Sequence, residues 1–250
     1  MILIISPSKS QNFSTTSCEA FSQTRQIEKT SELASVLKEQ NQTQIAKLMS
    51  LSDKLAKLNF DRFQNFHTPF TLENAKQAIL AFKGDVYNGI DAPSLSADDL
   101  SFSQDKVRIL SGFYGVVRPL DLIQPYRLEM GTKLATNKAK NLYEFWGSGV
   151  SEVLNKDESE LIVNLASNEY FKSIDKKSLK ANILNIAFKE KKGDAYKIIG
   201  IFAKRARGLM VNYMIRNRIN DSESLKDFAD EGYQFSSDFS DNSTWVFTRG

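Results

Sequence analysis

Residues 106–131, KVRILSGFYGVVRPLDLIQPYRLEMG, pass from a short apolar run straight into a loop dense with glycine, proline and charge. The run Val107–Leu110, preceded by charge and stopped by Ser111 and Gly112, reads as a buried strand. The loop behind it holds three of the chain's twelve glycines and two of its five prolines, with Tyr114, Arg118, Asp121, Tyr126, Arg127 and Glu129 among them. The same order occurs twice more. MILIIS (1–6) runs into Pro7, Ser8 and Lys9, and ELIVNLAS (160–167) runs into Asn168, Glu169, Tyr170 and Lys172. Each strand ends on a serine and then a polar loop.

In open α/β sheets, ligands collect in the crevice beyond the carboxyl ends of the strands. If these three strands are parallel neighbours, their ends converge on one crevice. The residues expected to line it are Ser6, Lys9, Ser111, Gly112, Tyr114, Arg118, Tyr126, Arg127, Ser167, Asn168 and Glu169. Gly112 and Gly115 permit close backbone approach, while Pro119 and Pro125 stiffen the loop. Lys9, Arg118 and Arg127 are suited to a phosphate or carboxylate, and Glu129, Glu169 or Asp121 to a general base. The alternative is a structural crossover with Tyr114 and Tyr126 in the core and the arginines in ion pairs.

Further apolar runs at 181–188 (ANILNIAF), 196–203 (YKIIGIFA) and 245–249 (WVFTR) read as strands. Helical patterns span 26–39, 42–52, 71–82 with Thr71 as N-cap, 142–154 and 208–219. Strands alternating with helices predict an α/β protein. We expect one domain over 1–250, a mixed sheet flanked by helices and partly antiparallel toward the C-terminus.

At 250 residues and 41% hydrophobic content, the chain can bury a full core. No apolar run approaches the ~20 residues that cross a bilayer, so no membrane partner is expected. The N-terminus lacks a basic leader and reads as a strand rather than a signal peptide. A single cysteine, Cys18, forms no intramolecular disulfide, consistent with a reducing, cytoplasmic location.

With Cys18 and His67 the only thiol and imidazole, no metal site and no cofactor are expected. A Ser-His-Asp or Cys-His relay has little support, and GxxxxGK[ST] and GxGxxG phosphate loops are absent. No catalytic residue is assigned. Charge is more informative. Residues 172–218 carry 13 Lys or Arg against three acids, whereas residues 219–250 carry two basic and seven acidic residues. A basic segment within a near-neutral chain suits a polyanion, or alternatively forms a solvated face balanced by the acidic tail.

Seven stretches carry a resemblance to a known family: ISPSKS (5–10), LMSLSDKLAKLNFDRF (48–63), AILAFKGDVYNGI (78–90), LSGFYGVVRPLDLIQPYRLEMG (110–131), LYEFWG (142–147), VNLASNEYFKSI (163–174) and FAKRARGLMVNYMI (202–215). Together they resemble the YaaA family of bacterial proteins associated with resistance to peroxide stress. The resemblance implies a cytoplasmic protein with a mixed α/β fold, a positively charged cleft and DNA binding, acting to limit free iron and the DNA damage it causes. It also implies a helix-hairpin-helix, placed at SDKLAKLNFDRF, with Lys54, Lys57 and Arg62 as DNA contacts. Here the sequence departs from such motifs: the expected turn is Ala56-Lys57-Leu58-Asn59, without glycine to bring backbone N–H groups to a phosphate. The segment reads equally as a plain helix pair.

A narrower likeness covers Ser111-x-x-Tyr114-Gly115-x-x-x-Pro119 and Pro125-Tyr126. It is similar to a pattern in accessory domains of nucleobase-exchanging transglycosylase systems. That implies a nucleotide or nucleobase in the crevice, stacked on Tyr114 or Tyr126 with Arg118 or Arg127 on phosphate.

Two functions follow. One is double-stranded DNA binding with weak sequence preference, centred on Lys204, Arg205 and Arg207, which precede an expected helix N-terminus over 208–219. The other is an enzyme or sensor for a nucleotide-like molecule. Cations of the 204–207 cluster on the crevice itself favour nucleic acid as its ligand; opposite faces favour a separate small molecule.

Overall fold

The computed structural model describes residues 1–250. Its first half runs β1 (Ile2–Ile5), α1 (Ile27–Lys38), α2 (Gln42–Met49), α3 (Asp53–Gln64), β2 (Lys76–Gln77), α4 (Ala78–Ala81), α5 (Asp85–Ile90), α6 (Ala97–Lys106), β3 (Val107–Ser111), β4 (Gly115–Val117) and β5 (Leu122–Ile123). The second half runs α7 (Leu142–Trp146), α8 (Gly149–Asn155), β6 (Leu161–Asn164), α9 (Asn168–Phe171), β7 (Asn182–Lys192), β8 (Ala195–Lys197), α10 (Gly200–Arg216), β9 (Gln234–Ser236) and β10 (Thr244–Arg249).

The main sheet has the order β4-β3-β1-β6-β7-β10-β9, with β8 paired to the far end of β7. Strands β3, β1, β6, β7 and β10 are parallel; β4, β8 and β9 are antiparallel additions. The fold is the expected mixed α/β sheet flanked by helices. Antiparallel pairs form both edges, where β4 turns back on β3 and β9 lies beside β10, and β8 adds a third on the end of β7. β1 is buried along its whole length, as is β3. Burial on both faces explains why parallel strands read as unbroken apolar runs. The exception is Arg108 in β3, only 4% exposed, whose Nε and Nη2 donate to the two carboxylate oxygens of Asp157 at 2.7 and 2.9 Å. Arg25 donates to the same carboxylate at 2.7 Å.

Three elements differ from the sequence reading. YKIIGIFA is not a strand: pairing with β7 ends at Lys197, and Gly200 opens α10, which swallows the rest. Consequently the helix expected over 208–219 begins eight residues earlier. Residues 71–82 are not one helix, because Lys76 and Gln77 pair antiparallel with Ile123 and Leu122, leaving only one turn after them. The 142–154 helix is split at Gly147, which adopts φ 48°; Asn141 caps the first piece by accepting from the Glu144 N–H.

Helix α10 packs closely on α5. Gly208 sits against the Val86 carbonyl and Gly89 against the Arg205 carbonyl, so close that neither position has room for a Cβ. This contact fixes the helix that carries the basic cluster against the start of α5, and so against the strand ends.

Candidate functional site

The strand ends do converge. β3, β1 and β6 lie side by side and parallel, so Ser111, Ser6 and Ser167 come to one end of the sheet. Ser6 and Ser167 are knitted together: the Ser167 N–H donates to Ser6 Oγ at 2.9 Å, and the two hydroxyls lie 3.3 Å apart. Above them is a cleft of about 420 Å³. Its walls come from Ser6–Lys9 after β1, from Leu165, Ser167, Glu169 and Tyr170 after β6, from Lys83–Tyr87 at the start of α5, from Glu129, and from Lys204 and Arg207 of α10. Gly84 lies at φ +106°, and a Cβ there would meet Ser8 Oγ at 3.2 Å. Glycine thus lets α5 start against the β1 loop.

Lys9 pairs with Glu129 at 2.6 Å. Glu169 accepts from the Gly131 N–H at 2.8 Å, which ties the 110–131 loop to α9. The other cations of the cleft, Lys83, Lys204 and Arg207, have no carboxylate within ion-pair distance. Arg207 Nε is buried and without a hydrogen-bond partner in the chain. Burial lowers the Arg207 pKa from the ordinary guanidinium value, so an anion beside it is favoured. Burial pushes the Tyr87 and Tyr170 hydroxyls up, so both stay protonated at neutral pH. The cleft wall thus carries Lys9, Lys83, Lys204 and Arg207 together with the carboxylates of Asp85, Glu129 and Glu169, and hydroxyl groups.

Several expected lining residues lie elsewhere. Ser111, Tyr114 and Tyr126 are core residues. The Ser111 hydroxyl meets Tyr126 Oη at 2.8 Å and accepts from the Phe113 and Tyr114 N–H groups. Tyr114 Oη donates to the Gln124 carbonyl and accepts from the Gln124 N–H. Neither tyrosine presents a stacking face. The close approach permitted by Gly112 is to the Leu128 carbonyl, not to a ligand. Arg118 is carried away because β4 runs back along β3; it pairs with Asp121 and reaches the Gln23 carbonyl. Arg127 lies 3.8 Å from Glu129, beside the cleft, while Asn168 is exposed at the first position of α9.

The basic cluster divides. Lys204 and Arg207 face the cleft, whereas Arg205 turns outward to Glu231 at 2.5 Å. All three lie inside α10, so the expected contribution of a helix N-terminus falls away. The helix pair is also corrected. α3 is continuous through Ala56–Asn59, with Ala56 and Asn59 buried, and the turn lies at Ser50–Ser52 with Ser50 left-handed. Lys54 is exposed on α3, Lys57 pairs with Asp61, and Arg62 lines a different groove. Sequence reasoning missed Lys83, Gly84 and Tyr87; the signal was the FKGD stretch at 82–85, where charge and glycine precede a helix start.

The model of the family described as peroxide stress protein YaaA matches residues 1–239. The chain belongs to this family. It is 51% identical over 251 residues to a UPF0246 protein of Acaryochloris marina, covering all of both chains. It is 50% identical over 254 residues to UPF0246 proteins of Saccharophagus degradans and of Colwellia psychrerythraea, covering 100% of this chain and 99% of each relative. No helix of this YaaA-family protein is long and apolar enough to cross a membrane.

Proposed function

We propose that the protein serves the peroxide stress response in the cytoplasm as a DNA-binding protein, holding phosphates at the strand-end cleft and so limiting iron-driven damage to DNA. One observation carries the reading: Lys204 and Arg207 face the same crevice as Ser6 and Ser167, joined by Lys83, and none of these cations is neutralised by a carboxylate. Such a site binds polyanions by charge, with little sequence preference. Affinity for duplex DNA is expected to fall with salt at a log-log slope of roughly −0.9 per neutralised phosphate.

A second reading is supported by the cleft's size. At about 420 Å³ it lies in the range of small-molecule sites, so a nucleotide-like ligand fits as well as a backbone phosphate. Fluorescence anisotropy with labelled duplex DNA over a salt series tests the first reading. Lys204→Ala with Arg207→Ala is expected to weaken binding and reduce the slope by about one to two units. Arg205→Ala, which removes only the outward Glu231 pair, leaves both near the wild-type values. Unchanged affinity and slope in the double variant would discard the cleft as the DNA interface.

A further inference from the structure

The ribbon β7–β8 and the first turn of α10 form a surface beside the cleft. Glu190 pairs with Arg249 of β10 on one side and with Lys197 of β8 on the other, so β8 lies on the side of β7 that β6 occupies earlier along the strand. Pairing with β6 stops at Asn185, whereas β7 runs on to Lys192. Residues 186–192, at 3.3 Å each, carry the ribbon about 23 Å past the last β6 contact. Because β6 leads directly into Ser167 of the cleft, the ribbon rises at the same end of the sheet.

Three large apolar side chains are exposed where the ribbon turns into α10: Ile198 at 58%, Ile201 at 59% and Phe202 at 43%. Core packing of this helix is done instead by Ala203, Ala206 and Met210. Ile201, Lys204 and Arg207 follow one another at intervals of three, so they share one stripe of α10. Lys204 and Arg207 line the cleft, which puts Ile201 at its mouth, about 4.5 Å further along the helix axis. Phe202 is braced by the Arg249 guanidinium, 4.9 Å from its ring centroid, and Arg249 is held in turn by Glu190 at 2.8 Å. Around this apolar knob Lys191, Lys192, Lys197 and Lys204 are all exposed. The acids beside them are already taken, Glu190 by Arg249 and Glu231 by Arg205 and Arg249. Over 191–204 the four lysines stand against a single acid, Asp194.

We propose that Ile198 and Ile201 form an apolar wedge that enters the minor groove of duplex DNA and opens a base step beside the phosphates held in the cleft, with the ribbon lysines on the flanking backbone. The inference rests on the cleft reading above and adds to it a contact with the interior of the duplex. Minor-groove proteins that kink DNA insert isoleucine, leucine or phenylalanine among cations in this way. A duplex presents phosphates at the groove rim and sugar edges and base faces within, which matches a lysine surround with an apolar centre. A second copy of the chain seated on the same surface would set lysines against lysines, and like charge opposes that pairing.

A duplex carrying 2-aminopurine at a central TA step and a dye at each end tests the wedge with the intact protein. Wild type is expected to raise the 2-aminopurine fluorescence as the step unstacks, and to increase energy transfer between the dyes as the duplex bends. Ile198→Ser with Ile201→Ser, both at exposed positions, should abolish the two signals and weaken binding roughly tenfold, the loss of two apolar side chains from a contact that excludes water. The salt slope should stay at the wild-type value, because no phosphate contact is removed, whereas Lys204→Ala with Arg207→Ala lowers it. If wild type binds with neither unstacking nor bending, or the serine variant keeps both signals, there is no wedge and the cleft reading stands without it. If wild type does not bind duplex DNA, the cleft reading fails and the wedge falls with it. Sedimentation of the protein alone identifies the rival occupant: a dimer that the serine variant dissociates assigns the surface to a second copy and refutes the wedge.

Discussion

Alanine at Gly208 sets helix propensity against packing. In a helix interior, alanine is favoured over glycine by about 1 kcal/mol. At this position, however, the new Cβ would lie 1.9 Å from the Val86 carbonyl oxygen and 3.0 Å from the Gly89 Cα. Both neighbours are backbone, so no side chain can rotate away. Real Cβ atoms essentially never approach within 3.0 Å, so α5 and α10 must move apart by at least about 1 Å. Overpacking of this kind costs roughly 1–3 kcal/mol, and a displacement of two helices that together bury Tyr87, Ile90, Met210 and Val211 belongs at or above the upper end.

After the propensity gain, Gly208→Ala is expected to be about 2 kcal/mol less stable. That corresponds to a midpoint about 4–8 °C lower for a chain of this size. Thermal and urea unfolding followed by circular dichroism give the measurement. Gly200→Ala, at the start of the same helix with nothing within 4 Å of its added Cβ, is the control, expected to be neutral or more stable by up to ~1 kcal/mol. If Gly208→Ala proves as stable as Gly200→Ala, the close seating of α10 on α5 is wrong, and with it the placement of Lys204 and Arg207 over the cleft.

Asp157→Ala leaves the Arg108 guanidinium buried without its partner and is expected to cost about 3–5 kcal/mol in urea unfolding. Burial works to raise the Asp157 carboxyl, but the hydrogen bonds and charges of Arg108 and Arg25 hold it below the ordinary carboxylate range. Asp99 is held at about 2, chiefly by the Ser96 backbone N–H. Both groups are more acidic folded than unfolded. Their stabilisation is therefore full above the unfolded value, near pH 4, and drains as pH falls through the folded values; Asp157→Asn and Asp99→Asn together should flatten the loss of stability between pH 5 and pH 2. Ser111→Ala removes the partner of the Tyr126 hydroxyl and of two buried N–H groups, and is expected to cost about 2–3 kcal/mol; Tyr126→Phe, which removes one hydroxyl, should cost about 1 kcal/mol. Duplex DNA affinity measured in the same pair should be unchanged.

The parallel centre of the sheet is legible because burial on both faces leaves its mark on each residue. MILIIS, VRILS and LIVN contain few polar residues, and Arg108 was the one warning that a strand interior can hold a charge when Asp157 waits for it. Where a segment's state depends on a distant partner, the local pattern misleads. YKIIGIFA has strand composition throughout, yet only Ala195–Lys197 finds a neighbour, on the extension of β7; the chain then turns at Gly200 and continues as helix. Lys76 and Gln77 sit in a helical pattern but pair with Leu122 and Ile123 of the glycine- and proline-rich loop. Nothing within 71–82 encodes that pairing.

The cleft is half legible for a related reason. Parallel strands ending side by side must bring Ser6 and Ser167 together, and that follows from topology alone. What the loop 110–131 does at that point depends on whether each polar group is met by the chain or by something outside it. Ser111 is met by Tyr126, Tyr114 by the Gln124 backbone, and Arg118 by Asp121, so the groups that look most like a binding motif are consumed in holding the loop. The groups left over come from segments with plainer sequence: Lys83 before α5, Lys204 and Arg207 on α10, Arg62 on α3, with Arg127 the one arginine of the loop that keeps an unpartnered nitrogen. A half-buried cation without an anion is held at a free-energy cost that its own fold does not offset, whereas a satisfied one reports only on stability. By that criterion Lys83 and Arg207, half-buried at the cleft with no ion pair, are the groups the fold leaves unsatisfied, while the tyrosines and Arg118 of the polar loop are spent on holding that loop together.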